Sequence, residues 1–274
     1  MKILATDLDR TLLPNGKWKL SKGAIEFFND ETQRTQGLNV IYVTGRTLEL
    51  VECAIDEYGI RCPNYLIGAV GTKVYSYENQ KFVPDNDYEK YVLKKCPNWD
   101  RKKIVKILSS ISELELQEES LQNEFKISYY TDGVNGEEVI AKAKKLIEGK
   151  FDEEIIFSFD PIKKKGLLDV LPKAATKKTA LLYLIDKLKV SKDNVVYAGD
   201  SGNDILPMMA GFKSILVKNA DKHLRDAVKI AISKNEIKEK NIYVAKGFSI
   251  DKKQIFNGNY TAGVIEGLLH FNFL

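Results

Sequence analysis

Asp7 and Asp9 sit two residues apart at the end of a short apolar run, Met1 to Thr6, and Pro14-Asn15-Gly16 forces a turn soon after. In an extended segment residues i and i+2 face one side. Two carboxylates placed this way are costly unless something positive binds between them. A hard divalent cation taking oxygen ligands, magnesium foremost, is the simplest partner. Other polar clusters repeat the arrangement: Thr44-Gly45-Arg46, Gly71-Thr72, and Gly199-Asp200-Ser201-Gly202-Asn203-Asp204, with Lys177 near the start of a later helix. Glycines and hydroxyls let backbone amides approach a phosphate, and lysine supplies a compact positive charge. Each cluster alone also reads as a turn, a helix cap or an exposed lysine. Their shared position, each just after an apolar run, is what points to chemistry.

The elements that must position them alternate. Strands are expected over 1–6, 38–43 and 65–70, separated by a helix capped by Ser21 and a second capped by Thr47 and closed by Gly59. That order predicts an α/β fold, a Rossmann-like parallel sheet with right-handed crossovers. Its ligands bind outside the carboxyl ends of the strands.

The rhythm then changes. A hairpin is expected around Glu78-Asn79-Gln80, then two helices, the second from Asp100, strands at 114–117 and 125–130, a helix over 136–149 and a strand over 154–159. This reads as an inserted α+β cap at residues 80–165, with Lys163-Lys164-Lys165-Gly166 as its return linker. Residues 1–79 and 166–274 form the core. There Leu167 to Leu171 resumes the α/β pattern as a strand, Thr176 caps a helix, and strands follow at 194–198 and 214–217.

Composition excludes several classes. The net charge of +4 over 274 residues is too small and scattered for a nucleic-acid partner. Three cysteines without C-x-x-C spacing and two histidines argue against a disulfide framework or a transition-metal site. No apolar run reaches membrane-spanning length, and Met1 leads straight into a strand without a signal peptide. A cytoplasmic protein, a monomer or a homodimer, is expected.

Asp7-Leu8-Asp9-Arg10-Thr11-Leu12, Thr44-Gly45-Arg46, Lys177 and Gly199 to Asp204 resemble, in order, the four motifs of the haloacid dehalogenase-like hydrolases. Within them the chain is similar to the bacterial sucrose-phosphate phosphatases. That similarity is carried by Ala69 to Thr72 with Tyr75, by Lys126 to Tyr129, and by Ala262-Gly263 with Leu269 to Phe273. Arg10 stands where asparagine is expected and Lys178 where glycine is.

The resemblance implies a magnesium-dependent phosphatase. Asp7 is the nucleophile, forming an aspartyl-phosphate, and Asp9 the acid and base. The metal ligands are Asp7, Asp9, Asp200 and Asp204. Thr44, Gly45 and Asn203 bind the phosphoryl oxygens, and Lys177 balances charge. Arg46, Thr72, Lys126 and Tyr129 are the expected sugar contacts. The implied substrate is a sugar phosphate, with sucrose 6-phosphate first and mannosylfructose, aminohexose or general hexose phosphates as alternatives. A phosphosugar mutase or a silent sugar-phosphate sensor ranks lower.

Overall fold

The first strand, β1 (Lys2–Thr6), is buried on both faces through Ile3, Leu4 and Ala5. Such a strand belongs inside a parallel sheet, and the computed structural model places it there. The residues described are all except 133–135, 161–163 and 251–254.

In chain order the strands are β1, β2 (Leu38–Val43), β3 (Tyr65–Gly68), β4 (Lys73–Glu78), β5 (Lys81–Pro84), β6 (Glu115–Leu116), β7 (Ile127–Asp132), β8 (Glu153–Asp160), β9 (Lys165–Pro172), β10 (Val195–Gly199), β11 (Lys213–Leu216) and β12 (Ile242–Val244). Eight of them form one sheet in the order β12-β11-β10-β1-β2-β3-β4-β5. It is parallel from β12 to β3, and β4 and β5 add an antiparallel edge.

The helices are α1 (Ala24–Arg34), α2 (Leu48–Tyr58), α3 (Asn86–Lys95), α4 (Arg101–Leu108), α5 (Gly136–Ile147), α6 (Lys177–Lys187), α7 (Ile205–Met208), α8 (Lys222–Ser233) and α9 (Thr261–His270). α1 packs on α9, and α7 packs on both α6 and α8. No helix among the described residues is long and apolar enough to cross a membrane.

A second sheet, β6-β7-β9-β8, is antiparallel throughout. Ile127 and Tyr129 of β7, with Leu168 and Val170 of β9, meet Ile104 and Leu108 of α4 and Val139, Ala143 and Ile147 of α5 in a separate apolar core. The expected insertion limits at 80 and 166 do not match the edges of this sheet. β5 pairs with β4 in the large sheet, and β9 pairs with β7 and β8 in the small one. β9 misleads in sequence because Leu168, Val170 and Leu171 are all buried, as in a central parallel strand. Lys165 and Gly166 open β9 rather than a linker, and Lys163 lies outside the described residues.

Two helix starts differ in detail from expectation, α1 and α2, the latter following Thr47 without a side-chain cap bond. α1 begins after Gly23, in a left-handed conformation at φ 75°, with no side-chain cap. Ser21 instead accepts the Asn257 backbone N–H at 2.9 Å. α6 has the expected Thr176 cap, and Thr179 completes a capping box.

That helix start matters because its first residue is Lys177. Gly71, at φ +106°, lets the turn after β3 touch the Thr176–Lys177 backbone, where an added Cβ would lie 2.2 Å from the Thr176 carbonyl carbon. Gly71→Ala is therefore strained twice, by conformation and by collision with backbone. We expect it to cost about 3 kcal/mol, lowering the midpoint of thermal unfolding by roughly 6–10 °C. Calorimetry on the variant checks this, and an unchanged midpoint would contradict the packing account.

Candidate active site

Thr6 ends β1, so Asp7 emerges at the carboxyl edge of the sheet, and its N–H bonds the Ala198 carbonyl of neighbouring β10 at 2.9 Å. Thr44, Gly45 and Arg46 follow β2 at the same edge, and Asp200 follows β10. The four motifs thus converge as the strand order requires.

At the centre is the Lys177 ammonium, fully buried, with Nζ 2.7 Å from Asp7 Oδ1, 2.9 Å from Asp204 Oδ1 and 3.0 Å from Asn203 Oδ1. Asp204 is folded back onto its own loop. Its Oδ2 accepts the N–H groups of Asp200 and Ser201 at 3.0 and 3.2 Å, and the Tyr197 hydroxyl donates to Oδ1 at 2.6 Å. Gly199 permits this fold-back, since a Cβ there would lie 2.6 Å from the Asp204 side chain.

Burial dominates the electrostatics. It pushes the Asp7 carboxyl up to about 7 although Lys177 pulls it down, and Asp204 and Asp9 add to the rise. Burial also raises Asp200 well above the carboxylate range, against the pull of Arg10. For Lys177 burial opposes the charge, but Asp204 and Asp7 outweigh it, so the ammonium is raised and stays protonated.

The donor set fits a hard divalent cation. Asp7, Asp200 and Asp204 each offer an oxygen within 4.8 Å of the others. Asp200 Oδ2 is buried and accepts no hydrogen bond, although Arg10 Nη2 lies 3.1 Å from it. A buried carboxylate oxygen left so is expected where a positive charge is to be received. Asp204, with four donors already on its two oxygens, suits support rather than direct ligation.

The cavity beside this cluster measures about 330 Å³ and lies between the two sheets. Asp7, Asp9, Arg10, Gly45, Arg46 and Asn203 line it from the large sheet, and Gln117, Lys126, Tyr130, Ser158, Phe159 and Asp169 from the small one. At Gly45 an added Cβ would meet only Val70 Cγ2, at 3.8 Å, so packing does not demand glycine there and its backbone lies open. Thr44 is buried behind it, its hydroxyl accepting the Arg46 N–H at 3.2 Å.

Of the expected sugar contacts, two line the cavity and two do not. Arg46 does, while holding Asp9 with Nη2 2.7 Å from Oδ1 and Nε 3.0 Å from Oδ2. Lys126 does, donating to the Leu121 carbonyl at 2.9 Å and lying 4.0 Å from Asp169. Thr72 is buried outside the lining, donating to the Ala69 carbonyl and accepting from Asn123. Tyr129 points into the small sheet's apolar core.

Strand alternation explains the error. If Lys126 faces the cavity, so do Ser128 and Tyr130, and Tyr129 cannot. That signal was present in the sequence. Asp169 was missed because β9 was assigned to the other sheet; its carboxylate accepts the Ser128 hydroxyl across the pair.

Replacing Lys177 by methionine leaves buried carboxylates without their cation, which we expect to cost about 3–5 kcal/mol. A carboxyl whose folded pKa is raised loses stability progressively as pH climbs from its unfolded to its folded value. For Asp7 that interval runs from 3.8 to about 7 with Lys177 pulling the value down, and removing the ammonium extends it to higher pH. The deficit of Lys177→Met should thus be larger at pH 8 than at pH 5 in chelator, as urea unfolding would show. A pH-independent deficit would contradict it.

Comparison with known proteins agrees with this geometry. The family model for sucrose-6F-phosphate phosphohydrolase matches residues 1–272. A protein described as a HAD-like hydrolase, from Nitrosococcus oceani, is 35% identical over 271 residues, covering 98% of this chain and 71% of that one. Sucrose-phosphatase 2 of Nicotiana tabacum is 31% identical over 229 residues, covering 81% of this chain, which spans only 51% of the tobacco protein. The solved structure of the sucrose-phosphatase from Synechocystis sp. PCC6803, in complex with sucrose and phosphate, superposes with a TM-score of 0.77 at 23% identity, covering 99% of this chain and 98% of that one. At that identity it speaks for the fold.

Proposed function

The chain belongs to the sucrose-6F-phosphate phosphohydrolase family and is a phosphoric monoester hydrolase by that kinship, and we propose that it hydrolyses sucrose 6-phosphate with magnesium, through an aspartyl-phosphate on Asp7. The observation that carries the reading is the buried Lys177 ammonium binding Asp7 and Asp204 at 2.7 and 2.9 Å beside a cavity walled by both sheets.

Phosphate monoesters hydrolyse extremely slowly unaided, so positioning and charge stabilisation must do most of the work. A carboxylate oxygen of Asp7 attacks phosphorus as the bond from phosphorus to the sugar oxygen breaks. Asp9, held at the cavity by Arg46 and Asn15, gives its proton to the leaving oxygen. Asp9 then takes a proton from the water that cleaves the phosphoaspartate, which restores both groups. The Gly45 amide, Thr44 and Asn203 receive the phosphoryl oxygens, and Lys177 keeps Asp7 in register. Asp7, Asp200 and the Asp9 carbonyl, with Asp204 behind, would hold magnesium, which would supply positive charge between the anionic nucleophile and the anionic phosphate.

The small sheet with α4 and α5 serves as the cap that covers the sugar. Lys126, Tyr130, Gln117 and Asp169 are suited to its hydroxyls. The family model and the tobacco protein, named a sucrose-phosphatase, support this choice of sugar.

A panel of phosphorylated sugars assayed for phosphate release, with magnesium and with chelator, tests the reading. Sucrose 6-phosphate should give the highest kcat/KM, and chelator should abolish turnover. Preference for mannosylfructose phosphate or a hexose phosphate would displace the substrate but not the chemistry. Asp7→Asn should abolish turnover on every substrate while keeping a native circular dichroism spectrum, and residual phosphate release by the pure variant would contradict the nucleophile. Asp169→Ala should raise KM for sucrose 6-phosphate by roughly 10-fold or more, the loss of one or two hydrogen bonds to the sugar, with little change for p-nitrophenyl phosphate. Equal losses on both would remove Asp169 from sugar recognition.

A further inference from the structure

Arg10 directly follows Asp9, and the fold holds it with care. Its φ is 59°, the left-handed region that side chains rarely adopt. Its N–H donates to Asn15 Oδ1 at 2.8 Å, and its carbonyl accepts the Asn219 amide at 2.6 Å. Asn219 is anchored in turn by the Tyr260 N–H at 2.8 Å. The backbone is thus clamped from both sides, and the side chain is aimed at one target. Arg10 Nη2 lies 3.1 Å from Asp200 Oδ2. Yet that oxygen accepts no hydrogen bond, because the N–H groups of Arg10 are not directed at it. The contact is one of charge alone. Asp200 Oδ1 is differently placed, accepting the Thr11 hydroxyl at 3.2 Å.

Charge counting gives the contact a meaning. The motifs bring four carboxylates together, Asp7, Asp9, Asp200 and Asp204, against three cations, Arg10, Arg46 and Lys177. Their formal balance is one negative charge, and Asp221, which faces both Asp200 and Arg10, makes it two. A divalent ion brings the group to neutrality, which lets a phosphate dianion approach. Without Arg10 the loaded cluster would stay one charge negative and repel the phosphate. Arg10 also lines the cavity, so its guanidinium can turn from Asp200 toward an incoming anion without leaving the site.

We propose that Arg10 is the charge-setting residue of this site, pairing with Asp200 before the divalent ion does, so that it weakens cation binding and strengthens phosphate binding. The inference rests on the cation site proposed above.

The test is calorimetric titration of the full-length protein, stripped with chelator, first with Mg2+ alone and then, Mg2+-loaded, with inorganic phosphate. Arg10→Gln should bind Mg2+ roughly three- to tenfold more tightly than the wild type, the scale of one lost charge contact at a partly buried pair. It should bind phosphate more weakly by a similar factor. Arg10→Lys, which keeps the charge, should lie closer to the wild type in both. Asp200→Asn should abolish the Mg2+ heat, which locates the ion. Opposite changes in the two affinities support the proposal. A merely structural lesion would weaken both together, and that result, or an unchanged Mg2+ affinity, overturns it while leaving the cation site standing. Failure of wild type and Arg10→Gln alike to bind Mg2+ overturns the cation site and this inference together.

Discussion

The site depends on one buried ammonium. Lys177 is 2% exposed and shares its protons among Asp7, Asn203 and Asp204. Carboxylates this close and this dry repel one another and resist ionisation. The lysine offsets part of that cost for Asp7 and fixes the nucleophile's direction. It does so only because α6 starts where it does. The Thr176 cap sets the first turn, and Gly71 lets the turn after β3 reach the helix start without a clash.

The same constraint ties cap to catalytic centre. β9 ends at Pro172, and five residues later Lys177 opens α6. The chain leaving the small sheet therefore delivers the lysine. Tyr88 of α3, fully buried, donates to the Gly71 carbonyl at 2.7 Å and lies 3.3 Å from the Ala174 carbonyl, pinning both strands of this passage. Any displacement of the small sheet is felt close to the charge centre.

Much of this was legible in the sequence. Apolar strands ending in polar clusters revealed the parallel sheet, because a strand buried on both faces has no other simple home. The convergence of Asp7, Asp9, Lys177 and Asp200 followed from strand order at one sheet edge. What was not legible lay in the cap. β9 is apolar enough to pass for a core strand, and only its pairing partners reveal where it belongs. Tyr129 was an expected sugar contact, although period-two alternation from Lys126 turns Ser128 and Tyr130, not Tyr129, to its side. Thr72 was an expected sugar contact, yet its hydroxyl donates to the Ala69 carbonyl and accepts from Asn123, as a strut between them.

The central claim is spatial: two acidic motifs distant in sequence surround one cation, with Asp7 facing the phosphoryl group. A crystal structure grown with Mg2+ and orthovanadate tests it most directly. The account predicts one ion shared by Asp7 and Asp200, with vanadium beside a carboxylate oxygen of Asp7 and near the Gly45 amide. An ion bound elsewhere, or vanadate seated away from Asp7, would contradict it.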